Sequence, residues 1–201
     1  MDSRARSGWV LYDVANSAFV TVVITAVGGP FITALAEDAA DAAGRVSVLG
    51  LEPRATSVYA YATSLSVILQ VVTLPLVGAL ADRRNGKLRV LAAGTTVGIL
   101  ATALIALAPG WGLAATGLVV ANVAYGAAIV AYNALLADVS APEERDAMSS
   151  RGFAAGYLGG AIPLALALAA LAAAPALDVG KGTVVRGAIL LAALWWLGFT
   201  L

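Results

Sequence analysis

The sequence predicts an all-α membrane protein with six transmembrane helices. Apolar residues make up 61% of its 201 residues and charged residues only 12%, and the mean hydropathy is +0.90. A soluble domain is usually about 45–50% apolar and about 25% charged. A soluble fold of this size could not enclose so much apolar surface, so lipid must be the solvent for much of the chain.

Six apolar runs are long enough to cross a bilayer, which takes about 20 residues of helix. They cover residues 9–36, 57–81, 88–108, 112–137, 152–174 and 183–201. A helix satisfies its own backbone hydrogen bonds in lipid, so each run is predicted to form one transmembrane helix. The first run is too long for the apolar part of a signal peptide, and five more follow it, so we interpret it as a retained span.

All twelve basic residues lie outside the apolar cores of these runs and indicate the orientation. With a cytoplasmic N-terminus, eight basic residues fall in inner segments and four in outer segments. Lys and Arg are enriched in cytoplasmic loops, so we expect the N-terminus to be cytoplasmic. The inner residues are Arg4, Arg6, Arg83, Arg84, Lys87, Arg89, Arg145 and Arg151.

The last apolar run continues to Leu201 without a polar tail. We therefore expect the sequence to be the first part of a longer chain. A protein of six spans remains the alternative. The 201 residues contain no cysteine and no histidine, which excludes disulfides and histidine-dependent catalysis within them. No cofactor, metal, nucleic acid or enzymatic activity is expected.

Three separated motifs carry a family resemblance. Residues 78–89 read Gly-Ala-Leu-Ala-Asp-Arg-Arg-Asn-Gly-Lys-Leu-Arg and form a short basic turn between the second and third runs. The other two are Trp9–Phe19 and Tyr132–Arg145, the latter leading to Gly156–Gly160. Together they resemble the major facilitator superfamily and, within it, the vacuolar amino-acid effluxer-like (autophagy-related) transporters. One departure is that two residues, Arg84 and Asn85, precede the loop glycine where the superfamily usually has one.

The resemblance implies that residues 1–201 form the N-terminal half-bundle of a transporter, built from two three-helix inverted repeats. The implied function is secondary active transport of a small polar solute, with amino acids as candidates, by alternating access. The implied partners are the lipid bilayer, the solute, and a C-terminal half or a second copy of the chain. A bacterial plasma membrane is the expected location.

The resemblance also implies that the 78–89 loop latches the two halves together. Gly78 would let another helix approach closely, and Asp82 would attract a helix N-terminus or an arginine. The alternative is a plain basic turn that fixes topology. The predicted latch residues are Gly78, Asp82, Arg83, Gly86, Lys87 and Arg145, with Arg145 as a candidate partner for Asp82.

Asp13 is the one acidic residue predicted to lie within a span. An ionisable group in lipid is costly and indicates a substrate or proton pathway. Asp13 shares a helix face with Ser17, Thr21 and Thr25, and Asn16 flanks this face. The alternative is a solvated residue near the cytoplasmic mouth. Proton coupling is a further hypothesis that depends on Asp13 alone.

Polar stripes on the second and fourth runs supply further candidates for the solute pathway. Gln70, Asn122 and Asn133 either line a wet cavity or form hydrogen bonds between helices. The glycines of the fifth run are predicted to give it a smooth face for tight packing. A second functional hypothesis stays open, namely a truncated six-span protein that binds a partner in a structural or regulatory role and transports nothing.

Overall fold

The computed structural model describes residues 3–84 and 86–200, which form six helices long and apolar enough to cross a membrane. We number them span 1 to span 6. Their bounds are Ser3–Asp38, Ala55–Ala81, Gly86–Leu107, Trp111–Val139, Pro142–Ala173 and Lys181–Thr200. Spans 1 and 5 begin before their apolar runs, so their first turns are polar helix. The predicted all-helical architecture is confirmed.

Span 1 changes helix type along its length. It is α-helical over Ser3–Ala18, a π-helix over Phe19–Val27 and α-helical again over Gly28–Asp38. The Thr25 hydroxyl donates to the Val20 carbonyl at 2.9 Å, and the Tyr59 hydroxyl of span 2 donates to the Ile24 carbonyl at 2.6 Å. Thr25 is exposed, and its hydroxyl is bonded to its own helix. It therefore does not extend the predicted polar face of Asp13, Ser17 and Thr21. A π-segment inside an α-helix often marks a functional region.

The helix contacts reveal an internal symmetry. Span 1 packs on span 5, and its counterpart span 4 packs on span 2. In the same way, span 3 packs on span 4, and its counterpart span 6 packs on span 1. Spans 3 and 6 pack on each other. Exchanging spans 1–3 with spans 4–6 leaves this pattern unchanged. Because each unit contains an odd number of spans, the two units cross the membrane in opposite directions, as in an inverted repeat.

The core lies where spans 1, 3, 4 and 6 meet. Its largest side chains include Phe19, Ile105, Leu118, Ile189 and Trp196, all fully buried. The Phe19 and Trp196 rings lie 5.5 Å apart, centroid to centroid. Span 2 is the most exposed of the described spans, and both span 2 and span 5 present large apolar side chains away from the core. Those outward faces suit contact with lipid or with another apolar bundle.

Arg186 of span 6 joins three spans at the end of the bundle opposite the N-terminus. Its guanidinium group donates to the carbonyls of Ala106 at 2.6 Å and Ala108 at 2.8 Å. It also lies 5.0 Å from the centroid of the Phe31 ring in span 1. The last carbonyls of a helix lack partners within the helix and carry partial negative charge. From the sequence, Arg186 is one of the four basic residues in outer segments. The structure shows that it also caps span 3.

Replacing Arg186 by methionine should lower the free energy of unfolding by about 2 kcal/mol, because it removes two charge-assisted hydrogen bonds and a cation–π contact. Thermal unfolding in detergent measures the change. Lys181→Met, at the exposed start of the same helix, is the matched control. Equal stability losses in the two variants would contradict the capping role.

Candidate functional site

Asp13 lies half-buried between spans 1 and 5. A Cβ atom added to Gly156 of span 5 would lie 2.9 Å from Asp13 Oδ2 and 2.9 Å from Ser17 Oγ. The carboxyl and hydroxyl groups therefore both rest on the same turn of span 5. Spans 1 and 5 belong to different repeat units, so this polar pair lies across the interface between the repeats.

Asn16 is almost fully buried, at 2% exposure. Its Nδ2 donates to the Tyr12 carbonyl at 2.7 Å, and its side chain lies within hydrogen-bonding reach of the neighbouring Asp13 carboxyl group. With its amide bonded to its own helix, it acts as a neighbour of the carboxylate and does not line an open cavity.

Aromatic rings surround this part of span 1. The Trp9 and Tyr132 rings stack with centroids 4.4 Å apart, and the Tyr12 and Tyr132 centroids are 5.4 Å apart. Trp9 Nε1 donates to the Tyr132 carbonyl at 3.0 Å, and the Tyr12 hydroxyl pairs with Thr95 Oγ1 at 2.7 Å. The Tyr132 hydroxyl, by contrast, is buried without a hydrogen-bond partner.

The glycines of span 5 form a smooth face against span 1, as the sequence predicted. Gly152 faces Trp9 and the Tyr132 hydroxyl, and Gly160 faces Thr21. All of the face-forming glycines are buried. This face lets span 1 bring its polar groups directly onto span 5. Its members are Gly152, Gly156, Gly159 and Gly160.

Gln70 and Asn122 join spans 2 and 4. Gln70 Nε2 donates to the Asn122 carbonyl at 3.1 Å, and Asn122 Nδ2 donates to Ser66 Oγ at 2.7 Å. Ser66 Oγ in turn donates to the Thr63 carbonyl at 2.7 Å. Of the two open interpretations, this geometry corresponds to hydrogen bonding between helices. Asn133 is exposed. It joins neither the residues around Asp13 nor the hydrogen bonds of Gln70 and Asn122.

The turn between spans 2 and 3 is tight. Span 2 ends at Ala81, and the Asp82 amide donates to the Gly78 carbonyl at 3.0 Å. The Gly86 amide donates to the Arg83 carbonyl at 2.7 Å. A side chain at Gly86 would collide with the backbone at the end of span 2, so the turn requires glycine there. Asn85 and Leu201 lie outside the described residues.

Gly78, Asp82 and Arg83 lie on the surface of the bundle and face away from its other helices. Apart from the adjacent backbone of span 2, no heavy atom of the described chain comes within 4 Å of a Cβ placed on Gly78, and the Asp82 and Arg83 side chains are exposed. The close helix approach predicted at Gly78 is therefore not made by the spans described here. Any such partner must come from outside this bundle.

Lys87 clamps the start of span 3 to the end of span 4. Its Nζ donates to the Ala134 carbonyl at 3.1 Å and to the two Asp138 carboxylate oxygens at 2.8 and 2.7 Å. The positive charge thus meets the negative end of a helix as well as a carboxylate. Asp138 was not among the predicted site residues. Only the tertiary structure brings it to Lys87, from 51 positions along the chain.

Arg145 and Asp82 form no ion pair in the described part of the chain, so the suggested pairing is not made within this bundle. Arg145 is half-buried at the start of span 5, and its Nε atom has no hydrogen-bond partner. A second ion pair at the same end as Lys87 and Asp138 joins Arg6 to Glu144 at 3.0 Å. It ties the beginning of span 1 to the beginning of span 5.

Replacing Lys87 by methionine should lower the free energy of unfolding by about 1 kcal/mol, because partly exposed ion pairs contribute little. The side chains of Lys87 and Asp138 are 27% and 51% exposed. Thermal unfolding of Lys87→Met, Asp138→Asn and the double variant measures the coupling. Arg89→Met, at an exposed position nearby, is the control. Additive losses in the double variant would contradict a direct interaction.

The fold and the motifs define a class of protein. An inverted repeat of three-helix units and a glycine-dependent basic turn between spans 2 and 3 agree with a half-bundle of the major facilitator superfamily. Residues 1–201 match the model of the family described as vacuole effluxer Atg22 like. The chain belongs to this family and is an integral, multi-pass membrane protein.

One relative supports the assignment. The chain is similar to the protein named "Uncharacterized MFS-type transporter YxiO" of Bacillus subtilis (strain 168), with 31% identity over 204 residues. The similarity covers 99% of this chain and 45% of the relative. The chain therefore spans less than half the length of this relative. No solved structure matches the chain.

Proposed function

We propose that this chain forms one half of a secondary active transporter that moves a small polar solute, with amino acids as the candidate substrates. The observation that carries the proposal is Asp13, a half-buried carboxyl group inside a span and at the interface between two inverted repeats. Transporters of this architecture bind their solutes at interfaces between repeats. An ionisable group inside a membrane is costly and marks such a pathway.

A second six-span bundle completes the proposed transporter. It is the C-terminal half of the same protein or a second copy of this chain. It packs on the loop at the end of span 2, on the side that faces away from spans 1 to 6. The open space at Gly78 and the exposed charges of Asp82 and Arg83 support this arrangement. Lys87 and Gly86 shape the loop from within the bundle, and rocking of one bundle against the other gives alternating access.

The proposed orientation places the N-terminus and the 82–87 loop in the cytoplasm of a bacterium. The exposed basic side chains at this end of the bundle, Arg83, Arg84, Arg89 and Arg151, support it. Positive charge in short loops is retained on the cytoplasmic side, where anionic lipids attract it. Labelling of single cysteines introduced at position 84 and at position 49, in intact cells, tests this orientation.

Transport assays test the proposed function. The protein is isolated from its membranes together with any second bundle and reconstituted in liposomes that contain unlabelled amino acids. A mixture of the twenty labelled amino acids is added outside. The expected result is saturable counterflow, in which internal amino acids accelerate entry of the label. Saturable flux of another polar solute only would overturn the substrate class. No flux of any solute would favour the structural or regulatory role.

A further inference from the structure

We propose that the Asp13 carboxylate and the Tyr132 hydroxyl bind the ammonium group of the transported solute. This inference rests on the proposed function and assigns a site for one part of the substrate. The geometry that points to it combines an unpaired carboxyl group, an unpaired hydroxyl group and a glycine face between them.

Asp13 has no cationic partner in the described chain. The ion pairs there join Arg6 to Glu144, Arg45 to Glu52 and Lys87 to Asp138. The amide of Asn16 is a neighbour of the carboxyl group but carries no charge. A carboxylate inside a membrane span is costly unless a positive charge compensates it. In this proposal the compensating positive charge comes from the solute.

Tyr132 offers a second unused group on the same surface. It is only 5% exposed, and its hydroxyl is buried without a hydrogen-bond partner. A buried polar group without a partner is unusual and needs an explanation. The hydroxyl lies 3.1 Å from a Cβ position on Gly152, as Asp13 Oδ2 lies 2.9 Å from one on Gly156.

Gly152 and Gly156 are one helical turn apart on span 5. Side chains four residues apart on a helix have Cβ atoms about 6 Å from each other. The Tyr132 hydroxyl and the Asp13 carboxylate thus lie over successive turns of one glycine face. The Ser17 hydroxyl lies beside the carboxylate, over the same turn. A side chain at either glycine would take the place next to these oxygens.

An ammonium group fits this set of acceptors. It carries three N–H donors and one positive charge, and the site offers a carboxylate and two hydroxyl oxygens. A carboxylate or phosphate group on the solute would be repelled by Asp13, so the site selects the amino end of the substrate.

Competition and point variants test the inference in the counterflow assay. Labelled amino acid mixture is the probe, with n-butylamine and butyrate as unlabelled competitors. Butylamine should compete and butyrate should not. Asp13→Asn should weaken apparent affinity by at least about a hundredfold, since a buried charge pair is lost. Asp178→Asn makes the same chemical change at an exposed position and should leave affinity unchanged.

Tyr132→Phe separates binding from structure. Its hydroxyl makes no hydrogen bond within the described chain, so its removal should leave thermal stability unchanged or raise it. Apparent affinity should nevertheless fall by about tenfold, the value of one charge-assisted hydrogen bond. This variant keeps the test valid even if Asp13→Asn fails to fold.

Two results would overturn the inference while leaving transport intact. One is unchanged affinity in both Tyr132→Phe and Asp13→Asn. The other is retained affinity in Asp13→Asn with loss of proton-driven accumulation, which would assign Asp13 to proton coupling. Failure of wild-type protein to transport any amino acid would instead overturn the proposed function.

Discussion

Replacement of Gly159 by alanine is expected to separate span 5 from span 1 and to cost about 3 kcal/mol of folding free energy, in the range of overpacked sites. A Cβ atom there would lie 2.5 Å from Val14 Cα and 2.8 Å from the Val14 carbonyl carbon. These are backbone atoms of a neighbouring helix and cannot move alone. The Val14 carbonyl also accepts a hydrogen bond from Trp195 Nε1 at 3.1 Å, so a shift of span 1 would disturb span 6.

The control for this variant is Gly187→Ala in span 6, where a Cβ atom meets nothing within 4 Å. Alanine favours a helix over glycine by about 1 kcal/mol, so the control should be neutral or stabilised. The fraction of monodisperse protein in detergent, followed with temperature, measures both. Comparable stability of Gly159→Ala and Gly187→Ala would show that the contact between spans 1 and 5 is looser than described.

Replacement of Gly86 by alanine is expected to disrupt the turn between spans 2 and 3. The new Cβ atom would lie 2.7 Å from the Ala81 carbonyl oxygen and 2.9 Å from its carbon, and would also collide with the Leu80 carbonyl. The start of span 3 would have to move away from the end of span 2. Because Lys87 is the next residue, its contact with Asp138 would be lost as well. The expected loss is about 3 kcal/mol.

Gly78→Ala is the informative comparison for the loop. It should not destabilise this bundle, because its Cβ meets open space. If a second bundle packs on the loop, however, the same variant should slow counterflow while leaving thermal stability unchanged. Unaltered stability of Gly86→Ala would contradict the steric account of the turn. Unaltered counterflow in Gly78→Ala would contradict the proposed latch.

Some predicted residues acquired partners that the sequence could not identify. Lys87 was assigned to the loop from its motif, but its contact with Asp138 depends on how spans 3 and 4 pack. Arg186 was counted only as an outer charge, although it caps span 3 and contacts Phe31 of span 1. In both cases a long side chain reaches the end of a helix that is distant in sequence. A local sequence pattern cannot predict such a contact, because it depends on how the helices pack.

For the polar residues within the spans, too, the sequence identified the residues but not their partners. The sequence identified Asp13, Gln70 and Asn122 as costly in lipid, because burial of polar groups has a known penalty. It left open whether they line a cavity or bond to neighbouring helices. The structure shows Gln70 and Asn122 bonded between spans 2 and 4 and leaves Asp13 without a cation. The buried, unpaired Tyr132 hydroxyl had no signal in the sequence.

By itself, the sequence determined the all-helical class, the number of spans and the family. Those properties follow from apolar run length, since each helix satisfies its own backbone hydrogen bonds in lipid, and from motifs contiguous along the chain. Only the tertiary structure decided which spans pack together, how the repeats are related and which polar groups remain unpaired. These depend on close contacts between distant segments, such as Gly159 on Val14, because shape complementarity between helices is set by side chains that local periodicity does not bring together.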